Sequence, residues 1–214
     1  MVKFFLNDKE VIANEEDTIW TVAKKNGLTL PHLCFADKPG YRADGNCRAC
    51  MVSIEGERVL AASCIRKPAE GMKVFTEDEK SSKSRKMVLE LLVTDQPKKE
   101  DCHDPDSHFW KMAEKVNVSQ SRFDKREKDE VPTPDNSHVA MAVNLDACIH
   151  CNLCVRACRE VQVNDVIGMG QRGHSSKIVF DFNDPMGDSS CVSCGECVQA
   201  CPTGALMESN LLNE

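Results

Sequence analysis

Thirteen cysteines stand in 214 residues, and twelve of them fall into three sets of four. The sets are Cys34, Cys47, Cys50 and Cys64; Cys148, Cys151, Cys154 and Cys158; and Cys191, Cys194, Cys197 and Cys201, with Cys102 left alone. The second set reads C-x2-C-x2-C-x3-C, and the third repeats that spacing 43 residues later. Three thiolates two residues apart curl a loop around one face of a cubane. The fourth, one helical turn on, points away towards a neighbouring cluster, as in two-cluster ferredoxins. The pattern therefore assigns Cys148, Cys151, Cys154 and Cys201 to one [4Fe–4S] centre, and Cys158, Cys191, Cys194 and Cys197 to the other. Zinc is the competing reading, but zinc takes C-x2-C knuckles in pairs and needs no third cysteine two residues on.

The N-terminal set is spaced differently, as C-x12-C-x2-C-x13-C. One close pair with two distant single cysteines suits a [2Fe–2S] rhomb gripped by a loop on one side and by separate segments on the other. Its spacing departs from the plant-type C-x4-C-x2-C, and zinc competes more strongly here. Gly40, Ala43, Asp44, Gly45 and Asn46 make the Cys34–Cys47 segment a small-residue loop able to offer backbone donors. Cys102, beside His103, reads as an ordinary thiol in a connector. The histidines at 32, 108, 138, 150 and 174 form no ligand-spaced set, and His150 suits modulation of the first cubane's surroundings better than iron binding. No Ser/His/Asp group, paired-carboxylate site, phosphate loop or Gly-rich nucleotide fingerprint occurs, so no catalytic residue is expected.

The elements that must position these thiols divide the chain in three. Residues 1–77 read as an α+β unit: a hairpin of Val2–Leu6 and Glu10–Ala13, then a helix from Thr18 to about Asn26 capped by Asp17 and ended by Gly27. Strand-like runs follow at 51–54, 58–64 and 72–76. That order points to a β-grasp, ferredoxin-like [2Fe–2S] domain. Residues 78–137 read as a helical connector. One helix at 83–94 pairs Met87 with Leu91 and Val88 with Leu92 at i, i+4 spacing. Asp95-Gln96-Pro97 stops it, and a second, after Ser107, carries Phe109, Trp110, Met112 and Val116. Residues 124–137 read as an exposed linker. Residues 138–214 read as a two-[4Fe–4S] ferredoxin-like domain with a strand at 178–182 and a turn at Thr203-Gly204 entering another. Arg159 stands where proline is common after the first motif, whereas Pro202 follows the second.

Composition narrows the classes. Charged residues make up 29% and mean hydropathy is −0.39, and no apolar run nears the roughly 20 residues of a membrane span. Charges follow Phe5 too soon for a signal peptide, so a reducing cytoplasm is the expected compartment and metal ligation the expected use of cysteine. The net charge of −7 gives no support to nucleic-acid binding. Residues 138–214 carry 4 basic and 9 acidic side chains, net −5.

The whole arrangement resembles the N-terminal part of the large iron–sulfur subunit of respiratory complex I, and is similar to the small diaphorase subunit of NAD-reducing hydrogenases. It is most similar to the N-terminal portion of the α subunit of NAD-dependent, molybdenum- or tungsten-containing formate dehydrogenases. The stretches 158–168, 178–187 and Cys194-Gly-Glu-Cys-Val-Gln-Ala-Cys-Pro-Thr-Gly-Ala-Leu206 carry that likeness. The resemblance implies one [2Fe–2S] and two [4Fe–4S] clusters in an electron-transfer subunit of an oxidoreductase complex. Its expected partners are a metal-pterin formate-oxidising subunit and a flavin subunit that reduces NAD. Relatives add a [4Fe–4S] centre with a His-x3-Cys-x2-Cys-x5-Cys set, for which this chain offers only Cys102, His103 and His108. In formate dehydrogenases this portion is fused to a large metal-pterin domain; these residues stop at Glu214, before any such domain, so the resemblance implies an oxidising site on a separate polypeptide. The alternatives are a hydrogenase diaphorase subunit and a free multi-cluster ferredoxin.

Overall fold

A computed structural model describes residues 1–125 and 132–213. Strands β1 (Val2–Leu6) and β2 (Lys9–Ala13) pair antiparallel through a two-residue turn. Asn7 and Asp8 both take left-handed backbone there (φ 48° and 64°), as a tight hairpin requires. Helix α1 (Ile19–Lys25) follows and buries Ile19, Trp20, Val22 and Ala23. Its cap is Thr18, not the Asp17 expected from sequence. Thr18 Oγ1 accepts from the Thr21 N–H (3.3 Å) while Thr21 Oγ1 accepts from the Thr18 N–H (2.9 Å). Asp17 instead accepts from the Asn14 N–H (2.9 Å) and from Lys25 Nζ (2.6 Å), tying both ends of the helix to the preceding turn.

Three further strands complete the sheet: β3 (Met51–Ile54), β4 (Ala61–Ala62) and β5 (Lys73–Phe75). The order is β2-β1-β5-β3-β4, with β5 parallel to β1 and antiparallel to β3. This mixed sheet packs against one helix, α1. Only the middle of the expected 58–64 strand pairs, because β4 meets β3 at two residues before the chain turns to deliver Cys64.

Helix α2 (Glu79–Thr94) starts four residues earlier than expected, where Asp78 caps it by accepting from the Ser81 N–H (3.3 Å) and from the Ser53 hydroxyl (2.8 Å). Its buried stripe is Ser81, Arg85, Leu89 and Val93. Of the expected apolar pairs, Val88 and Leu92 pack half-buried against Leu89 and Val93, whereas Leu91 is 50% exposed. The phase is set by Arg85, whose Nη1 donates to the Met51 carbonyl (2.8 Å) and holds the helix against β3. Helix α3 (His108–Lys115) starts after Ser107 as expected, with Ser107 as its cap, and packs Phe109, Trp110 and Ala113 against Leu89 and Val93. Two hydrogen bonds fix this connector to the cysteine loops: Gln96 Nε2 to the Ala147 carbonyl (2.9 Å) and the Phe109 N–H to the Pro202 carbonyl (2.8 Å).

The C-terminal part has little regular structure. Strands β6 (Met141–Val143) and β9 (Leu206–Glu208) form one antiparallel pair, β7 (Ile167–Gly170) and β8 (Lys177–Phe180) another. Strand β8 ends two residues before the expected Phe182, because Asp181 turns the chain with a left-handed φ of 45°. Helices α4 (Leu153–Arg156) and α5 (Glu196–Ala200) each leave a cysteine loop. Of the expected 124–137 linker, residues 126–131 lie outside the described residues, and its end is not free. Asp135 exchanges two backbone bonds with Val143 (2.8 Å each), and its carboxylate accepts the Met186 (2.7 Å) and Ser137 (2.9 Å) N–H groups. Burial pushes the Asp135 carboxyl up, but these donors outweigh it and hold it below its ordinary value. Among the described residues, no helix is long and apolar enough to cross a membrane.

Candidate metal centres

The N-terminal thiols come from three places on the sheet-and-helix unit. Cys34 lies in the long loop after α1, Cys47 and Cys50 in the turn entering β3, and Cys64 just past β4. Cys34, Cys50 and Cys64 are each 1% exposed, and Cys50 and Cys64 belong to the core beneath the sheet. The structure brings the four together. Cys34 is in thiol contact with Cys47 and Cys64, and Cys64 also with Cys50. Hydrogen bonds from Cys47 and Cys64 hold the Cys34 thiol far below its ordinary value, and that from Cys64 brings Cys50 down to about 7. The partners Cys47 and Cys64 are pushed up in exchange, since they keep the shared protons. Backbone N–H groups add to the anionic character: Cys47 donates to Cys34 Sγ and Ala49 to Cys47 Sγ, both at 3.5 Å. Arg48, with a φ of 60°, turns the chain between them.

In the C-terminal part the thiols line two hollows. One hollow is lined by Cys148, Cys151, Cys154 and Cys201, a second by Cys158, Cys191, Cys194 and Cys197. Cys158 reaches the second hollow because α4 runs into a wider turn at Ala157–Val161 that carries it away from its own motif. Each loop bends at the same two places. His150 and Asn152 have φ of 52° and 62°, and their counterparts Ser193 and Gly195 have 58° and 74°. Alternating left-handed residues turn successive N–H groups inward and make a concavity suited to an anion. Gly195 meets that demand at no steric cost. Donors reach the sulfurs of the second set from Val166 N–H to Cys158 (3.3 Å), Ser193 N–H to Cys191 (3.5 Å) and Asn164 Nδ2 to Cys194 (3.9 Å).

Burial, then neighbouring Cys201 and Cys148, pushes the Cys151 thiol up; burial, then Cys151, does the same to Cys154. Burial, then Cys191 and Cys194, takes Cys197 up to about 12. Apolar surroundings thus keep these thiols protonated until a cation displaces the protons, which is how metal loading couples to proton release. Among the described residues no three His, Cys, Asp or Glu side chains close on a point as one metal ion requires. The two C-terminal sets surround hollows instead. All-sulfur donors, inward N–H groups and apolar walls fit a cluster.

The three sets are contiguous. Cys34 and Cys47 pack with Cys151 and Ile149 in one apolar cluster, and Cys154 shares another with Cys158 and Cys197. Cys194 is exposed, so the chain of sets opens to solvent at that end. Cys102 joins none of them; its thiol donates to the Lys99 carbonyl (3.0 Å), and burial pushes it up. Histidines serve packing. His108 Nε2 bonds the His32 carbonyl (2.6 Å), and His138 bonds Ser193 Oγ (2.9 Å) while its Nδ1 accepts the Ala140 N–H (3.1 Å). Burial, then the neighbouring His108, brings His32 down to about 4.

Reading by ligand spacing alone misses what the long Cys34–Cys47 loop does. Tyr41 Oη donates to Glu196 (2.8 Å), Arg42 pairs with Glu160 (2.9 Å), Asp44 pairs with Arg156 (2.7 Å), and Asn46 Nδ2 donates to the Cys151 carbonyl (3.4 Å). The loop is a strap across both C-terminal cysteine loops. Its signal in the sequence is the excess length of the first spacer and the polar residues it holds.

Comparison with known proteins agrees with this geometry. Residues 1–79 match the model of a 2Fe-2S iron-sulfur cluster binding domain, and residues 147–205 that of a 4Fe-4S dicluster domain. The chain thus carries a 2Fe-2S iron-sulfur cluster binding domain followed by a 4Fe-4S dicluster domain. It is 30% identical over 221 residues to the NADP-reducing hydrogenase subunit HndD of Solidesulfovibrio fructosivorans, covering 100% of this chain and 37% of that protein. It is 28% identical over 211 residues to a subunit of the NADH-quinone oxidoreductase of Rhizobium meliloti, covering 97% of this chain and 24% of that one. The chain therefore spans between about a quarter and a little over a third of the length of these relatives. Among solved structures, a chain of an NAD+-reducing [NiFe]-hydrogenase in the H2-reduced state matches with a TM-score of 0.86 and 26% identity. That match covers 97% of this chain and 87% of that one.

Proposed function

We propose that this chain is the electron relay of an NAD-linked oxidoreductase complex. The observation that carries the reading is the unbroken succession of thiol sets, from buried Cys34 and Cys50, past Cys151 and Cys154, to exposed Cys194. Cys34, Cys47, Cys50 and Cys64 hold a [2Fe–2S] cluster. Cys148, Cys151, Cys154 and Cys201 hold one [4Fe–4S] cluster, and Cys158, Cys191, Cys194 and Cys197 the other. The clusters supply one-electron redox chemistry. The chain's own residues hold them in order, exclude water from the inner two, and aim N–H groups at their sulfurs, which raises the potential of each.

The donor in this reading is formate, oxidised at a molybdenum- or tungsten-pterin site outside these residues, and the acceptor is a flavin subunit that reduces NAD. The residue runs 158–168, 178–187 and 194–206 support formate. A second reading, the small diaphorase-type subunit of an NAD-reducing hydrogenase, is favoured by the solved structure, whose chain is matched over 87% of its length. Purifying the native complex separates them. Molybdenum or tungsten with formate-dependent NAD reduction supports the first, and nickel with hydrogen-dependent reduction the second.

The cluster assignment has its own test. The chain reconstituted without air should bind about 10 iron atoms, the content of one [2Fe–2S] and two [4Fe–4S] clusters. Cys102→Ser should leave that content unchanged. Cys158→Ser should remove about four irons and the second cluster's EPR signal, although Cys158 lies in the first motif. An iron content near 4, or stoichiometric zinc, overturns the assignment.

A further inference from the structure

Arg156 lies between two cysteines of the first motif and is 2% exposed. Its Nη2 donates to two carbonyls that belong to different thiol sets, Cys34 (2.6 Å) and Cys151 (3.3 Å). Its Nη1 donates to the Arg42 carbonyl (3.3 Å) and pairs with Asp44 Oδ2 (2.7 Å). Asp44 is paired in turn with Arg42, and Arg42 with Glu160. Nε is buried with no hydrogen-bond partner. A buried guanidinium is costly unless its contacts repay it, and no other buried cation among the described residues touches two cysteine sets.

We propose that Arg156 is the positioning residue that fixes the N-terminal set against the first cubane set and, with Asp44, sets the potentials of both. The inference rests on the cluster assignment above. The planar fork spans two backbone carbonyls at once, a geometry that a point-charge ammonium on a flexible stem does not reproduce. Its charge stands between the sets and favours the reduced, more negative state of each cluster. Asp44, paired with Nη1 of the guanidinium, opposes that effect. The Cys34–Cys47 strap carries Asp44, so docking of the strap and tuning of the pair are one event.

The test uses the whole chain, loaded anaerobically with iron and sulfide, with iron content, redox titration followed by EPR, and the magnetic interaction between the two reduced centres as readouts. Arg156→Gln should keep about 10 iron atoms, shift both potentials negative and weaken the interaction. Asp44→Asn should shift both potentials positive. Arg156→Lys should restore the potentials but not the interaction, because it returns the charge without the fork. A merely structural arginine would not give shifts of opposite sign in the two variants. Wild-type potentials in Arg156→Gln at full iron, or shifts of one sign in both variants, overturn the proposal. If Arg156→Gln fails to hold iron, the positive shift in Asp44→Asn decides, and its absence counts against. A wild-type chain with iron near 4 would instead mean that the cluster assignment itself is wrong.

Discussion

At the N-terminal end the thiols belong to a sheet-and-helix core built mainly of other side chains. Phe4, Leu6, Ile19, Val22, Val52 and Val74 fill the space between sheet and helix, and Cys50 and Cys64 are the two thiols among its buried residues. At the C-terminal end Cys154, Cys158 and Cys197 are themselves core residues, with Cys191 and Cys201 packed beside them. The strands there are three or four residues long, and α4 and α5 have four and five. Such pieces are too short to be stable by themselves. One region is a fold that offers a site. The other is a site around which a fold condenses.

Removing iron is the largest way to break that contrast. With the clusters stripped anaerobically, buried amides of β6 to β9 and the α4 and α5 segments should lose nearly all hydrogen-exchange protection, while those of β1, β3 and β5 keep most of theirs. Metal-binding free energy is folding free energy where no preformed core exists. Equal loss at both ends would show that the N-terminal core is as metal-dependent as the other.

Core truncation is the next step down. Val52→Ala and Phe4→Ala remove side chains that are 0% exposed. Phe4→Ala should cost about 3–5 kcal/mol whether or not iron is present. In the connector, Leu89→Ala should cost about 2–5 kcal/mol, whereas Leu91→Ala should stay within about 0.5 kcal/mol. Urea titrations of the loaded protein measure both. Comparable costs at Leu89 and Leu91 would mean that α2 sits in a different phase.

That pair of leucines also marks where the sequence was readable. Ligand spacing was legible because iron–sulfur geometry dictates it locally: three thiols two residues apart and the fourth a turn away. The hairpin, α3 and the turn into β9 were legible for the same local reason. The phase of α2 was legible only in part. Val88 and Leu92 pack against the Leu89 and Val93 cluster as their spacing suggests, but Arg85 bonding to Met51 turns Leu91 outward, and that contact joins residues 34 apart. Residues 135–137 looked like linker because their partners, Val143 and Met186, are strand and turn residues elsewhere in the chain. The strap was hidden likewise: Tyr41, Arg42 and Asp44 gain meaning only from Glu196, Glu160 and Arg156, more than 100 residues on.

The smallest expected effect tests the N-terminal side of the contrast by ordinary helix chemistry. Thr18→Ala removes the capping hydroxyl of α1 and should cost about 1 kcal/mol. The cost should be the same in iron-loaded and iron-free protein, read from Trp20 fluorescence in a Trp110→Phe background. Asp17→Asn should cost less, below about 1 kcal/mol, since its partner Lys25 is largely exposed. Only this second effect should depend on pH. The hydrogen bond from Lys25, then that from the Asn14 N–H, holds the Asp17 carboxyl below its ordinary value in the folded protein. Its contribution is therefore fully present above the unfolded-state value near 4 and is lost as pH falls through the lower folded value. In iron-free protein, where cluster breakdown in acid does not intervene, wild type and Asp17→Asn should differ by a constant amount from neutrality to about pH 5 and converge below it. A difference that widens towards acid would mean Asp17 is not the anionic clamp of α1, and a Thr18→Ala cost that vanishes without iron would mean the N-terminal helix, too, depends on metal.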